Sequence, residues 1–153
     1  MHRDNYPILQ RYSSRYNERA WEDICSNDFE AAVISTWRLF YVEARVYLNP
    51  ADDRKRGSDV RLIDNLSDRL VLTEIRIGPL HELRKLRNKY NKGGPVRSIG
   101  NWGIIKTAME VIDILVGQNR PDLYVGGVAC PDCGEMWELD FDVCDWCGWS
   151  HLD

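Results

Sequence analysis

Two matched cysteine pairs, CPDCG at Cys130–Gly134 and CDWCG at Cys144–Gly148, carry the clearest chemistry in this 153-residue chain. Each C-x-x-C-G turn aims two thiolates at one point, and the ten residues between Cys133 and Cys144 allow a short hairpin that brings the second turn back onto the first. Four converging sulfurs make a tetrahedral, closed Zn²⁺ site. One structural zinc ion held by Cys130, Cys133, Cys144 and Cys147 is therefore expected, with no open coordination position for catalysis. A disulfide framework would require an export signal, and Met1–Gln10 (MHRDNYPILQ) has no apolar h-region. A redox-active C-x-x-C pair would sit at a strand-to-helix junction in a βαβ setting, and no such pattern surrounds these cysteines. The fifth cysteine, Cys25, sits beside Ile24 in a helical pattern and reads as a small buried hydrophobe.

Charge separates the same region from the rest. The net charge is −4, yet residues 1–120 hold all 20 Lys and Arg against 16 acids, and residues 121–153 hold eight acids and no Lys or Arg. Zinc-bound thiolates add further negative charge there. Such a ribbon repels phosphate and is suited to a basic protein surface. No stretch approaches the length of a membrane span, so a globular, cytoplasmic protein with no membrane contact is expected.

The elements that must carry these groups are mostly helical. An N-terminal extension (1–16) precedes a helical domain (17–120) and the acidic four-cysteine ribbon (121–153). Glu18–Ser26 reads as a short helix with Ala20, Trp21, Ile24 and Cys25 as its apolar side. Asn27 or Asp28 is an N-cap for a long run in which Phe29, Val33, Trp37, Phe40, Ala44 and Leu48 share one face, stopped by Pro50. Val60–Val71 repeats Ile63, Leu66 and Leu70 at helical spacing. Pro79 offers the first position of a helix bearing Leu80, Leu83, Leu86 and Tyr90, ended by Gly93-Gly94-Pro95. A last helix from Ile99 or Trp102 to Val116 buries Ile105, Ala108, Met109, Ile112, Leu115 and Val116, with Gly117 as its cap. The fold class is mainly α: a bundle of four to five helices followed by a small β-hairpin around zinc. The alternating Trp137, Leu139 and Phe141 supply the strands, and Trp137, Trp146 and Trp149 are expected to cover the metal.

A second constellation lies on the fourth of these helices. Between Arg84 and Arg97 come six Lys or Arg and no acid. Helical spacing puts Arg84, Arg87, Asn88 and Asn91 on one side, either as a solvated basic face or as a phosphate surface with Arg as a bidentate clamp. Arg84, Arg87, Asn88, Lys89, Lys92 and Arg97 are the candidate nucleic-acid contacts.

The segments SNDFEAAVISTWRLFYVEARVYL and LHELRKLRNKYNKGG give residues 17–118 a resemblance to the HEPN family, helical bundles that include prokaryotic toxin and CRISPR-associated ribonucleases. The second segment resembles the family's hallmark, an Arg, a polar residue, a short spacer and a His. The resemblance places Arg87 at the Arg and Asn88 at the polar residue, with Lys92 where active members have His. In those members Arg and His, paired across a dimer, cut RNA without a metal. A histidine near pKa 6.5 trades protons around neutrality, whereas a lysine near 10.4 supplies charge and is a poor base. His81 precedes Arg87 by six residues and His151 belongs to the terminal tail, so neither replaces it. No Ser–His–Asp, Walker-type or HExxH pattern occurs.

The expectation is a non-catalytic, homodimeric HEPN-like module that binds RNA or a basic protein surface, from a prokaryotic or phage conflict system. One alternative is a metal-independent endoribonuclease using Arg87, Asn88 and Lys92. Another is a pure protein adaptor docking through the acidic ribbon.

Overall fold

The longest apolar run becomes the central helix. A computed structural model describes residues 1–48, 58–93 and 100–123, with the backbone of 128–129 and 136–137. It divides into two compact units, Met1–Asn119 and Arg120–Asp153. The described residues of the first form six α-helices: α1 (Pro7–Arg11), α2 (Arg15–Cys25), α3 (Phe29–Leu48), α4 (Asp59–Leu70), α5 (Glu74–Asn91) and α6 (Trp102–Asn119). None of the described helices is long and apolar enough to cross a membrane.

Helix α3 starts as the sequence predicts. The Asp28 carboxylate accepts from the Ala31 N–H at 3.2 Å, an N-cap bond that satisfies one orphan donor of the first turn. Val33, Trp37, Phe40 and Ala44 of the expected stripe are buried. So are Ala32, Ser35, Thr36, Leu39 and Glu43, because α3 packs against α2, α4, α5 and α6. A helix enclosed on several sides outgrows a single apolar stripe.

Helix α6 buries all six residues of its expected face, and Ile104 and Val111 besides. Gly117 does not cap it. The helix continues to Asn119 with Gly117 buried inside its last turn. The Asn119 side-chain amide reaches the backbone carbonyl and Oε2 of Glu43, each at 2.8 Å, and so ties the end of α6 to α3.

Pro79 likewise lies within α5 and does not open it. The Thr73 carbonyl accepts from the N–H groups of Arg76 and Ile77, both at 3.0 Å, which starts the helix well ahead of the proline. At the sixth helical position Pro79 forfeits one backbone hydrogen bond, and the following Leu80 and Leu83 are fully buried. Helix α4 is capped by Ser58, whose Oγ accepts from the Arg61 N–H at 3.3 Å. It ends at Val71 in the left-handed region (φ 53°), where a β-branched side chain is strained by about 1–2 kcal/mol.

Residues of the N-terminal stretch 1–16 pack into the first unit. Tyr6, Ile8, Leu9 and Tyr12 are buried, and α1 packs on α6. The Leu9 N–H donates to Asp113 at 3.1 Å, and the buried Asn17 amide donates to the carbonyls of Leu9 (2.8 Å) and Tyr12 (2.6 Å). This stretch accounts for the sixth helix. It is too short for hydrophobic periodicity to reveal. Cys25 also departs from expectation: it ends α2 exposed to solvent, while Ala20, Trp21 and Ile24 are buried.

One glycine is required by packing. A Cβ on Gly100 would lie 2.8 Å from the Phe29 ring, against which Trp102 packs edge-on at 5.3 Å. In the second unit Val128–Ala129 pairs antiparallel with Met136–Trp137, Val128 opposite Trp137 and Ala129 opposite Met136. Cys130, Cys133, Cys144 and Cys147, the other tryptophans of the ribbon, the loop after Pro50 and Arg97 lie outside the described residues.

Candidate functional site

The motif arginine stands at the edge of a groove. Helices α2 and α5 both pack on α3, and a groove of about 1070 Å³ opens over that shared floor. Arg87 and Asn91 come from the last turns of α5, one turn apart on the same face. Asp59 comes from the first turn of α4. The floor is α3, with Trp37, Arg38 and Tyr41 along it, and the far wall is α2, with Arg15, Tyr16 and Arg19.

Arg87 is held from two directions. Its guanidinium donates to Asp59 in a close ion pair, and the same group lies 5.1 Å from the centroid of the Trp37 ring. Both side chains of the pair are partly covered, and Trp37 beneath them is buried. A cation above an indole face gains attraction from the ring quadrupole, and more so when water is excluded. Trp37 of α3 and Asp59 of α4 thus both hold the guanidinium. The Nε of Arg87 is buried without a hydrogen-bond partner among the described residues.

Charge in the groove is partly compensated by pairs, with three exceptions among the described residues. Glu18 accepts from Arg3 at 2.7 Å, and that hydrogen bond holds its carboxyl below the usual carboxylate range. Arg19 reaches Asp23 at 3.4 Å. Arg15 and Arg38 are exposed and have no ion pair among the described residues. Glu22 is the one lining carboxylate without an ion pair there. The aromatic rings also differ in exposure: Trp37 is 4% exposed, Tyr16 44% and Tyr41 36%.

The remaining residues of the predicted strip are dispersed around α5. Arg84 and Asn88 are half-buried and do not line the groove, and Lys89 is exposed. Lys92 is the exposed C-cap residue, its N–H donating to the carbonyls of Asn88 (3.3 Å) and Lys89 (3.2 Å). Five residues correspond to about 140° around a helix, so Lys92 points away from the groove face that Arg87 and Asn91 share. His81 faces α4, 3.4 Å from Asp64. Lys85 pairs with Glu82 on its own helix at 3.4 Å.

Arg15, Tyr16, Arg38 and Tyr41 were not legible as site residues. Arg38 and Tyr41 are two of several polar groups on α3, with Glu30, Ser35, Thr36, Glu43 and Arg45, so no local signal sets them apart. Among the described residues no group of three or more His, Cys, Asp or Glu is placed to hold a metal ion. No family model, curated protein or solved structure matches the chain.

Proposed function

We propose that this chain is a non-catalytic, HEPN-like RNA-binding module with a zinc-stabilised acidic ribbon. The observation that carries the reading is the setting of Arg87. The arginine that matches the family motif lies in a groove also lined by Arg15, Arg19 and Arg38, over Trp37 and paired with Asp59, which supports its use as a phosphate contact. The same geometry supports binding without cleavage. Lys92, which takes the histidine's place, is an exposed helix cap away from the groove, and burial is what turns a lysine into a proton acceptor. Asn88, the polar residue of the motif, does not line the groove; Asn91, one turn beyond Arg87, does, and an amide neither accepts nor releases a proton around neutrality.

The ribbon's spacing of cysteines supports one structural Zn²⁺ bound by Cys130, Cys133, Cys144 and Cys147. The family resemblance further supports a twofold homodimer, the commonest closed assembly. Light scattering of the full chain should give twice the 17.8 kDa of one protomer at micromolar concentration, and a monodisperse monomer would remove the dimer from the proposal.

The test is binding of short RNA at two salt concentrations, with cleavage followed in chelator. Affinity that falls steeply with salt, with the RNA intact, supports the module. Cleavage that disappears in both Arg87→Ala and Lys92→Ala would replace it by the endoribonuclease. Absence of RNA binding at low salt would leave the protein adaptor.

A further inference from the structure

We infer that the α2–α3 side of the groove is a base-stacking subsite, which makes the preferred ligand a single strand with unpaired bases. The inference rests on the RNA-binding reading and specifies the ligand. Large aromatic rings elsewhere in this region are covered: Trp21 and Trp37 are 3% and 4% exposed. Tyr16 and Tyr41 instead stand open in the groove wall and floor, 44% and 36% exposed.

Guanidinium groups accompany the rings. Tyr41 stands three residues beyond Arg38 on α3, a spacing that makes helix residues surface neighbours, and the Arg45 guanidinium lies 5.8 Å from its ring centroid. On α2 Arg15 and Tyr16 are consecutive and both line the groove. Arg15 and Arg38 are also the two cations of the lining without an ion pair among the described residues. The groove therefore offers two available cations and two exposed rings. A single strand carries the complementary groups, a phosphate and a base with two π-faces in every nucleotide. Aromatic stacking of successive bases over a cationic track is how single strands are held without sequence readout. A duplex cannot answer this pattern, because its bases are already stacked on one another and it is read through backbone and shape. The volume, about 1070 Å³, exceeds the range of about 300–1,000 Å³ typical for one small ligand, so more than a mononucleotide fits.

The experiment uses the full chain and three labelled probes of equal phosphate number: a single-stranded oligoadenylate of about eight nucleotides, a hairpin duplex, and an abasic ribose-phosphate strand. Anisotropy is read at about 50 and about 200 mM salt. The single strand is expected to bind about tenfold or more tighter than either other probe, the equivalent of one stacked base. Tyr16→Ala and Tyr41→Ala should each weaken it about 5- to 150-fold, with the salt slope unchanged and with binding of the abasic strand unchanged. Tyr16→Phe and Tyr41→Phe should restore affinity, since the ring and not the hydroxyl does the stacking. Arg15→Ala and Arg38→Ala should instead lower the slope by about 0.7 each. Equal affinity for single strand and abasic strand, or silent tyrosine variants with unchanged helical circular dichroism, would overturn the stacking subsite and leave RNA binding standing. Binding of none of the probes at the lower salt would overturn both.

Discussion

Arg87 and Asp59, 28 residues apart, form an ion pair across the α4–α5 junction, and Asp59 thereby occupies the direction in which Arg87 would meet a phosphate. One carboxylate oxygen, Asp59 Oδ2, accepts from Arg87 Nη2, a place that a phosphate oxygen could also take. On the RNA-binding proposal, Asp59 competes with the ligand for Arg87. Asp59→Asn should cost about 0.5–1 kcal/mol of stability, as the pair is only partly covered, and should raise RNA affinity about two- to fivefold. In an Arg87→Ala background the same substitution should leave affinity unchanged, which a double-mutant cycle reads directly. Weaker binding by Asp59→Asn would mean instead that Asp59 presents the arginine to RNA.

Glu43 is fully buried, accepts from the Tyr12 hydroxyl at 2.5 Å and from the Asn119 amide at 2.8 Å, and so joins α3 to both ends of the first unit. Glu43→Ala would remove the carboxylate that accepts from the buried Tyr12 hydroxyl and one of the two bonds that the half-buried Asn119 amide makes to Glu43. Urea unfolding should show a loss of about 2–5 kcal/mol, and Tyr12→Phe a smaller one of about 1–2 kcal/mol. A Glu43→Ala variant as stable as its parent would show that the network contributes nothing to the fold.

Asp113 carries the pH dependence. Burial raises its carboxyl above the ordinary 3.8, against the opposing hydrogen bonds from the Leu9 and Ile8 N–H groups. The folded state therefore binds this proton more tightly than the unfolded chain does. Its contribution to stability is present in full below the unfolded pKa and is lost as pH rises through the folded one. Asp113→Asn should accordingly match its parent in Tm at low pH and gain on it as pH passes through the carboxylate range. Tyr6, pushed up to about 12 by burial and then by Glu110 and Asp113, should move back towards 10 in the same variant, read by ultraviolet titration. A Tm difference independent of pH would assign the strain elsewhere.

Metal analysis of the purified chain should find one zinc ion per protomer, and Cys144→Ser should lose it. Far-ultraviolet circular dichroism should then retain the helices, because the core of residues 1–119 is built from its own apolar side chains. Full metal occupancy in Cys144→Ser, or none in the parent, would defeat the four-thiolate site.

What the sequence determined by itself is local. The Asp28 cap, the buried stripe of α3 and the inward face of α6 follow from capping chemistry and a 3.6-residue period, and each was legible before any packing was known. What overrode local signals was tertiary. Pro79 marks a helix start only if nothing precedes it, yet Thr73 had already nucleated α5; Gly117 marks an end only if the next turn has no partner, yet Asn119 is held by Glu43. Residues 7–11 are too few to show a period, and they are ordered because α6 buries Ile8 and Leu9. The groove belongs to the same class. Arg87 was legible from its basic helix, but Asp59, Arg15, Tyr16, Arg38 and Tyr41 come from three other helices. Side chains so distant in sequence have no shared spacing to read, and only the burial of α3 beneath α2, α4 and α5 brings them to one surface.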